Sequence, residues 1–249
     1  MIRILLLSAV FTSGFTALSY SEEKAPLALS PVPRENKAQL HESFNEISKG
    51  GTAQLVFLGD SITQGWAKNG AQAWEKYWAP YQAANFGIGG DRTEHVLWRL
   101  NNGNYDGLSP KLTVLMIGTN NTGHEGREMP EHGGAVYTSS AEETAAGITA
   151  IIDTLEEKQP DMKVLLLAIF PRGADKNDAK RQKNEAINGM IAKLGDREHV
   201  TYLNINENFL KPDGTLPKDI MPDLLHLNPT GYEIWSQAIK GTVKELMEE

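Results

Sequence analysis

The chain has 249 residues, with 24 Lys and Arg against 32 Asp and Glu, giving a net charge of −8. Hydrophobic residues make up 40% and charged residues 22%, a balance that excludes a disordered or fibrous chain; a surface this acidic also lacks the footprint of a nucleic-acid binder and any pull toward anionic lipid. Cysteine is absent, which excludes disulfides, thiol catalysis, thiolate metal sites and a lipidated N-terminal cysteine.

Residues 1–21 read MIRILLLSAVFTSGFTALSYS, with Arg3 ahead of an apolar run from Ile4 to Val10 and small residues at Ala17, Ser19 and Ser21. This is the pattern of a secretory signal peptide, and the run is shorter than the roughly 20 apolar residues that span a bilayer. The expectation is an exported chain, periplasmic or extracellular, with no stable membrane anchor. Residues 22–33 hold Pro26, Pro31 and Pro33 and read as a short, poorly ordered linker. A single domain over 34–249 follows.

Within that domain, apolar runs of strand length alternate with helical patterns. Strands are expected over Ala53–Leu58, Gln82–Phe86, Leu112–Ile117, Lys163–Ile169 and, more weakly, Val200–Ile205. Ser139 and Ser140 followed by Glu142 and Glu143 predict a capped helix that runs to Lys158 and stops at Pro160. Asn177–Leu194 and Pro229–Glu248 carry apolar residues at helical spacing. Strand, helix, strand, helix means parallel strands with helices on both faces, a doubly wound α/β sheet. Ligands of such sheets bind beyond the carboxyl ends of the strands. Glycine and polar residues cluster there: Gly59-Asp60-Ser61, Gly87 to Asp91, and Gly118-Thr119-Asn120-Asn121.

Each of these residues has a mundane reading and a chemical one. Ser61 fits a helix N-cap or a nucleophile placed at a strand end. The G-x-S-x-G elbow is missing, because Thr63 stands at its second glycine. Asp223 and His226 fit an incidental cap or a carboxylate that holds an imidazole by one nitrogen while the other faces a nucleophile. Asn120 fits a turn, and Gly90 a flexible loop, or both fit donors to an oxyanion. A serine, a histidine, an aspartate and oxyanion donors, each following a separate apolar run, together define acyl transfer. No Gly-Lys-Ser/Thr loop or dinucleotide fingerprint is present in the sequence.

These blocks resemble the SGNH, or GDSL-type, serine hydrolases. The matching segments are Gly59-Asp60-Ser61-Ile62, with Ile where many members have Leu, then Asn85 to Asp91, Gly118 to Asn121, and Asp223-Leu224-Leu225-His226. Within the family, NFGIGGDRTEHVLWRLNNG, the Pro171-Arg172-Gly173 turn, Lys183-Asn184 and DLLHLNPTGY are similar to the catalytic subunits of intracellular platelet-activating-factor acetylhydrolase, over residues 35–249. The resemblance implies a three-layer α/β/α sandwich on a flavodoxin-like five-stranded parallel sheet. It implies Ser61 as nucleophile, His226 as base, Asp223 as its partner, and an oxyanion hole from Ser61 N–H, Gly90 N–H and the Asn120 side chain. It implies no metal or organic cofactor, and it makes a homodimer a reasonable expectation.

Export departs from an intracellular subgroup, so the expected reaction is hydrolysis of short acyl esters, chiefly acetyl, on a small-molecule or glycan substrate. The alternatives are a phospholipid or lysophospholipid deacylase and a non-catalytic carbohydrate- or lipid-binding protein. Ile62 and Leu225, beside the nucleophile and base, are expected to floor a small acyl pocket. Among Trp66, Trp74, Trp78 and Trp98, Trp66 is the candidate for stacking on a sugar. Thr122–Thr138, with His124, His132, Glu125, Glu128 and Glu131, reads as a solvated loop facing the substrate rather than a metal site.

Overall fold

The computed structural model describes residues 25–248. The expected signal peptide at 1–21 lies outside the described residues. In chain order the elements begin with α1 (Ala38–Gly50), β1 (Leu55–Gly59), α2 (Ser61–Gln64), α3 (Ala71–Tyr77), β2 (Ala83–Gly87) and α4 (Thr93–Leu100). They continue with β3 (Leu112–Met116), α5 (Thr119–Gly123), β4 (Glu128–Met129), β5 (Ala135–Val136) and α6 (Ala141–Lys158). They end with β6 (Lys163–Leu167), α7 (Ala179–Ile191), β7 (Val200–Leu203) and α8 (Pro229–Glu248).

Five strands form one parallel sheet in the order β2-β1-β3-β6-β7. The strand order reverses between β1 and β3, which opens a crevice above their carboxyl ends. Every residue of β1 and of β3 is buried, because the sheet is covered on both faces. The period of two along a strand sorts the side chains. Val56 and Leu58 enter a core with Phe44 of α1, Val96 and Leu100 of α4, Ile148 and Ile152 of α6, and Ile187 of α7. Leu55 and Phe57 enter the opposite core with Trp78, Tyr232, Trp235, Ile239 and Val243. The last four lie on α8, spaced as one buried stripe of a helix.

The helix signals act as their chemistry requires. Ser140 Oγ accepts from Glu143 N–H at 3.1 Å and Ser140 N–H donates to Glu143 Oε2 at 2.7 Å, a reciprocal cap for α6. Asp178 caps α7 by accepting from the N–H groups of Lys180 and Arg181.

Two expectations are corrected. Residues 25–33 are not a loose linker: Ala28 is fully buried, and its carbonyl accepts from Thr93 Oγ1 at 2.8 Å. The segment forms a strap over α4 and α6. The 122–138 segment is not simply solvated either. It opens with α5 and folds back as an antiparallel β4–β5 hairpin.

The strap lies so close to α6 that Gly147 has no space for a side chain; an added Cβ would stand 2.6 Å from Thr93 Oγ1 and 2.8 Å from Ala28 O. Gly147→Ala is expected to lower stability by about 1–3 kcal/mol despite the better helix propensity of alanine, as read by urea unfolding.

Candidate active site

β1 ends at Gly59, and the chain turns straight into α2. The cap of that helix is Asp60, not Ser61: Asp60 Oδ1 accepts from Ile62 N–H at 2.9 Å. Ser61 is thereby left with a side chain free for another role. Its Oγ lies 2.8 Å from His226 Nε2. His226 Nδ1 lies 2.6 Å from Asp223 Oδ2. Asp223 Oδ1 accepts from the N–H of Leu225 at 3.1 Å and of His226 at 2.7 Å, so one carboxylate fixes both the turn and the ring. That turn carries Leu224 at φ +60°, a conformation that disfavours branched side chains. Its carbonyl is held by Gly173 N–H at 3.0 Å.

The hydrogen bonds from His226 and the backbone hold the Asp223 carboxyl below its ordinary value, against the opposing effect of partial burial. A carboxylate that stays charged and accepts at Nδ1 selects the imidazole tautomer whose Nε2 is bare toward Ser61. A relay of this geometry can make a serine hydroxyl nucleophilic.

The other residues expected in the site come together above the same strand ends. Gly90 sits at φ +84°, and its N–H has no hydrogen bond among the described residues. Asn120 Nδ2 donates one hydrogen to Asp91 O at 2.9 Å and has a second to spare. Gly89 packs against Ser61, and a Cβ there would stand 3.6 Å from Ser61 Cβ.

The pocket residues fare differently. Trp66 is 1% exposed and its ring packs on Tyr232 and Trp235, so it belongs to the core and offers no face to a sugar. Ile62 is equally buried in that core and cannot floor an open pocket. Leu225 retains exposed surface beside His226. Trp78 is core, whereas Trp74 and Trp98 are partly exposed. Trp98 tilts against His41 at 4.8 Å.

Much of the polar chemistry of the 122–138 segment is spent on α4. Arg92, fully buried, donates to Glu94, to Glu131 Oε1 at 2.7 Å and to His124 Nδ1 at 2.9 Å, and it lies over the Tyr137 ring. His132 Nε2 stands 3.4 Å from Glu94 Oε1. Burial first, then the neighbouring guanidinium groups of Arg92, Arg127 and Arg34, push the His124 imidazole down to about 4. Among the described residues, no group of acidic and imidazole side chains is placed to hold a metal ion.

Several supporting residues were given no role by the sequence, though Arg99 and Arg172 stand in the segments that match the family. Gln64 Oε1 accepts from Gly89 N–H at 2.9 Å, and Arg99 Nε donates to Asp91 Oδ2 at 2.9 Å. Arg172 Nη1 donates to Thr119 O at 2.7 Å, which steadies the turn before Asn120. Arg181 satisfies the carbonyls of Arg172, Gly173 and Gly214 behind it. Only the placement of basic residues near glycine turns hinted at these roles.

The profile of the GDSL-like lipase/acylhydrolase family matches residues 57–234. The chain belongs to this family. This GDSL acylhydrolase is 35% identical over 209 residues to the platelet-activating factor acetylhydrolase IB subunit alpha1 of Homo sapiens, covering 84% of this chain and 83% of the relative. It is 35% identical over 210 residues to the alpha2 subunit of Rattus norvegicus, covering 84% of each. In fold, the acylhydrolase is similar to the crystal structure of a GDSL-like lipase from Bacteroides thetaiotaomicron, with a TM-score of 0.64, 19% identity and coverage of 85% of this chain and 97% of that one. An acetyl xylan esterase is also similar, with a TM-score of 0.59, 21% identity and coverage of 76% and 98%. The GDSL acylhydrolase is thus a carboxylic ester hydrolase on an SGNH-type sheet.

Asp60 is fully buried and its Oδ2 has no hydrogen-bond partner among the described residues. Burial raises its carboxyl to about 7. The folded chain then holds a proton that the unfolded chain releases near 4, so this residue costs stability progressively as pH rises from about 4 to 7. Asp60→Asn keeps the cap and removes the titration. The variant is expected to gain stability relative to the parent between pH 5 and pH 8, on the order of a few kcal/mol, as measured by urea unfolding at the two pH values.

Proposed function

We propose that this GDSL acylhydrolase is an exported serine esterase that hydrolyses short acyl esters, chiefly acetyl esters, through an acyl-enzyme. The observation that carries the reading is the relay from Ser61 Oγ through His226 to Asp223, with contacts of 2.8 and 2.6 Å. His226 Nε2 takes the Ser61 proton as Oγ attacks the ester carbonyl. The carbonyl oxygen becomes an oxyanion opposite the N–H groups of Ser61 and Gly90 and the Asn120 amide. The C–O bond to the alcohol breaks, and the alcohol leaves with the proton from His226. Water, deprotonated by His226, then attacks the acyl-Ser61 ester, and the acid departs from a regenerated Ser61 hydroxyl. Asp223 orients and steadies the imidazolium throughout.

A cavity of about 730 Å³ adjoins Gly90, bounded by Arg34, Arg92, His124, Arg127 and Glu131. Its walls mix these charged and polar side chains with Val32, Pro33, Met129 and Pro130; the charged and polar part supports a hydroxylated leaving group such as an acetylated sugar. The relatives named as acetylhydrolase subunits support a second reading, an acetylated phospholipid. Export is supported by the N-terminal sequence pattern alone.

Ser61→Ala and His226→Ala are expected to abolish hydrolysis of p-nitrophenyl acetate above background. Asn120→Ala is expected to lower kcat by roughly 10²–10³. Equal activity of Ser61→Ala and the parent chain would overturn the mechanism and bring forward the non-catalytic binding reading. Steady-state rates on acetate and octanoate esters check the acyl preference: comparable values would remove the acetyl assignment. Rates on acetylated xylan set beside an acetylated ether phospholipid decide between the two leaving groups.

A further inference from the structure

We propose that Arg34, which directly follows the N-terminal strap, is a positioning residue for the oxyanion hole. The proposal rests on the serine esterase reading above. Arg34 lies before the segment that matches the family, residues 57–234, and belongs to the stretch ahead of α1. Its Nη1 donates to Gly89 O at 2.7 Å. Gly89 C=O and Gly90 N–H are the two ends of one planar peptide group. Fixing the carbonyl therefore fixes the direction of the N–H assigned to the oxyanion.

That peptide needs an anchor. It joins two glycines, the second at φ +84°, and glycine backbone rotates with little steric resistance. The guanidinium also lies against Gly90 itself: a Cβ there would meet Nη1 at 2.9 Å and Nη2 at 3.1 Å. A cation on the carbonyl polarises the peptide and makes Gly90 N–H a stronger donor.

The same nitrogen reaches the second donor. Arg34 Nη1 stands 3.2 Å from Asp91 Oδ1, and the Asp91 backbone carbonyl takes the hydrogen bond from Asn120 Nδ2. One guanidinium thus ties the Gly90 N–H and the Asn120 amide into one frame. The strap is in turn seated by the Ala28 carbonyl on Thr93, so its place is set on α4 and α6 rather than by the loop it supports.

Other contacts should keep the fold without Arg34. Arg99 holds the second Asp91 oxygen and Gln64 holds Gly89 N–H. Arg34→Ala is therefore expected to melt within a few degrees of the parent. Its kcat on p-nitrophenyl acetate is expected to fall about 10- to 100-fold with KM nearly unchanged, the scale of a misplaced catalytic group. The inhibition constant of an alkyl trifluoromethyl ketone, whose serine adduct places an oxyanion in the hole, should rise by the same factor as kcat/KM falls. Arg34→Lys, which keeps one charged donor, should fall between the two, and millimolar guanidinium should restore part of the Arg34→Ala rate.

A kcat and ketone affinity within twofold of the parent would overturn the proposal. So would a loss confined to KM, or a loss that tracks a large drop in melting temperature in both variants. If the parent chain itself hydrolyses no ester in a Ser61-dependent way, the esterase reading fails first and takes this proposal with it.

Discussion

Everything in the site depends on how closely backbone can approach backbone where β1 and β2 end. A Cβ on Gly59 would stand 2.4 Å from Met116 O, and a Cβ on Gly87 would stand 2.1 Å from Gln64 N. Those gaps admit only glycine. Because they do, α2 starts directly on top of the sheet edge instead of after a loop, and Ser61 is held by strand and helix together. The Gly59 carbonyl then accepts from Ile88 N–H at 3.1 Å, which draws the Gly89–Gly90 turn over the same point. Ser61 and the loop beside it are placed by one packing constraint.

A second layer of order comes from charges taken out of water. Asp91, Arg92, Glu94 and Arg99 are each 3% exposed or less, on or next to one short helix. Pairing of this kind offsets desolvation rather than adding much stability, and its value lies in direction. Arg99 and Asp91 set the far side of the Gly89–Gly90 turn. Arg92 and Glu94 seize the imidazoles and carboxylates of the segment after Asn120. His124, Glu131 and His132 of that segment therefore reflect docking onto α4, while Glu125 pairs with Lys183 of α7.

The sheet was legible because its strands are buried on both faces, and uninterrupted apolar runs such as LTVLM say so directly. α6 and α8 were legible through a capping box and a four-residue apolar stripe. α1 and α4 are not legible in the sequence, for opposite reasons of patterning. α1 has few apolar residues, and α4 buries Glu94, His95 and Arg99 where a helix facing a core is expected to show aliphatic side chains. The side chains that meet Ser61, His226 and through it Asp223, were readable from residue type after each strand. Trp66 and Ile62 were misplaced because nearness to Ser61 in sequence says nothing about which side of a helix a side chain takes. Arg34 was unreadable: three prolines nearby suggest a linker, and only tertiary structure shows a guanidinium reaching 55 residues along the chain to Gly89.

The openness of the Asp223–His226 pair has a thermodynamic consequence. Their side chains are 56% and 42% exposed, so the pair works in contact with bulk solvent. Solvent screens the attraction between an imidazolium and its carboxylate, and such a site gains little from a low local dielectric. Under the proposed mechanism, transition-state stabilisation falls instead on donors whose orientation is fixed before substrate arrives, since they need no reorganisation when charge develops. In return the second half-reaction draws its water from the bulk. Under that mechanism no segment among the described residues has to part to let this water reach the pair.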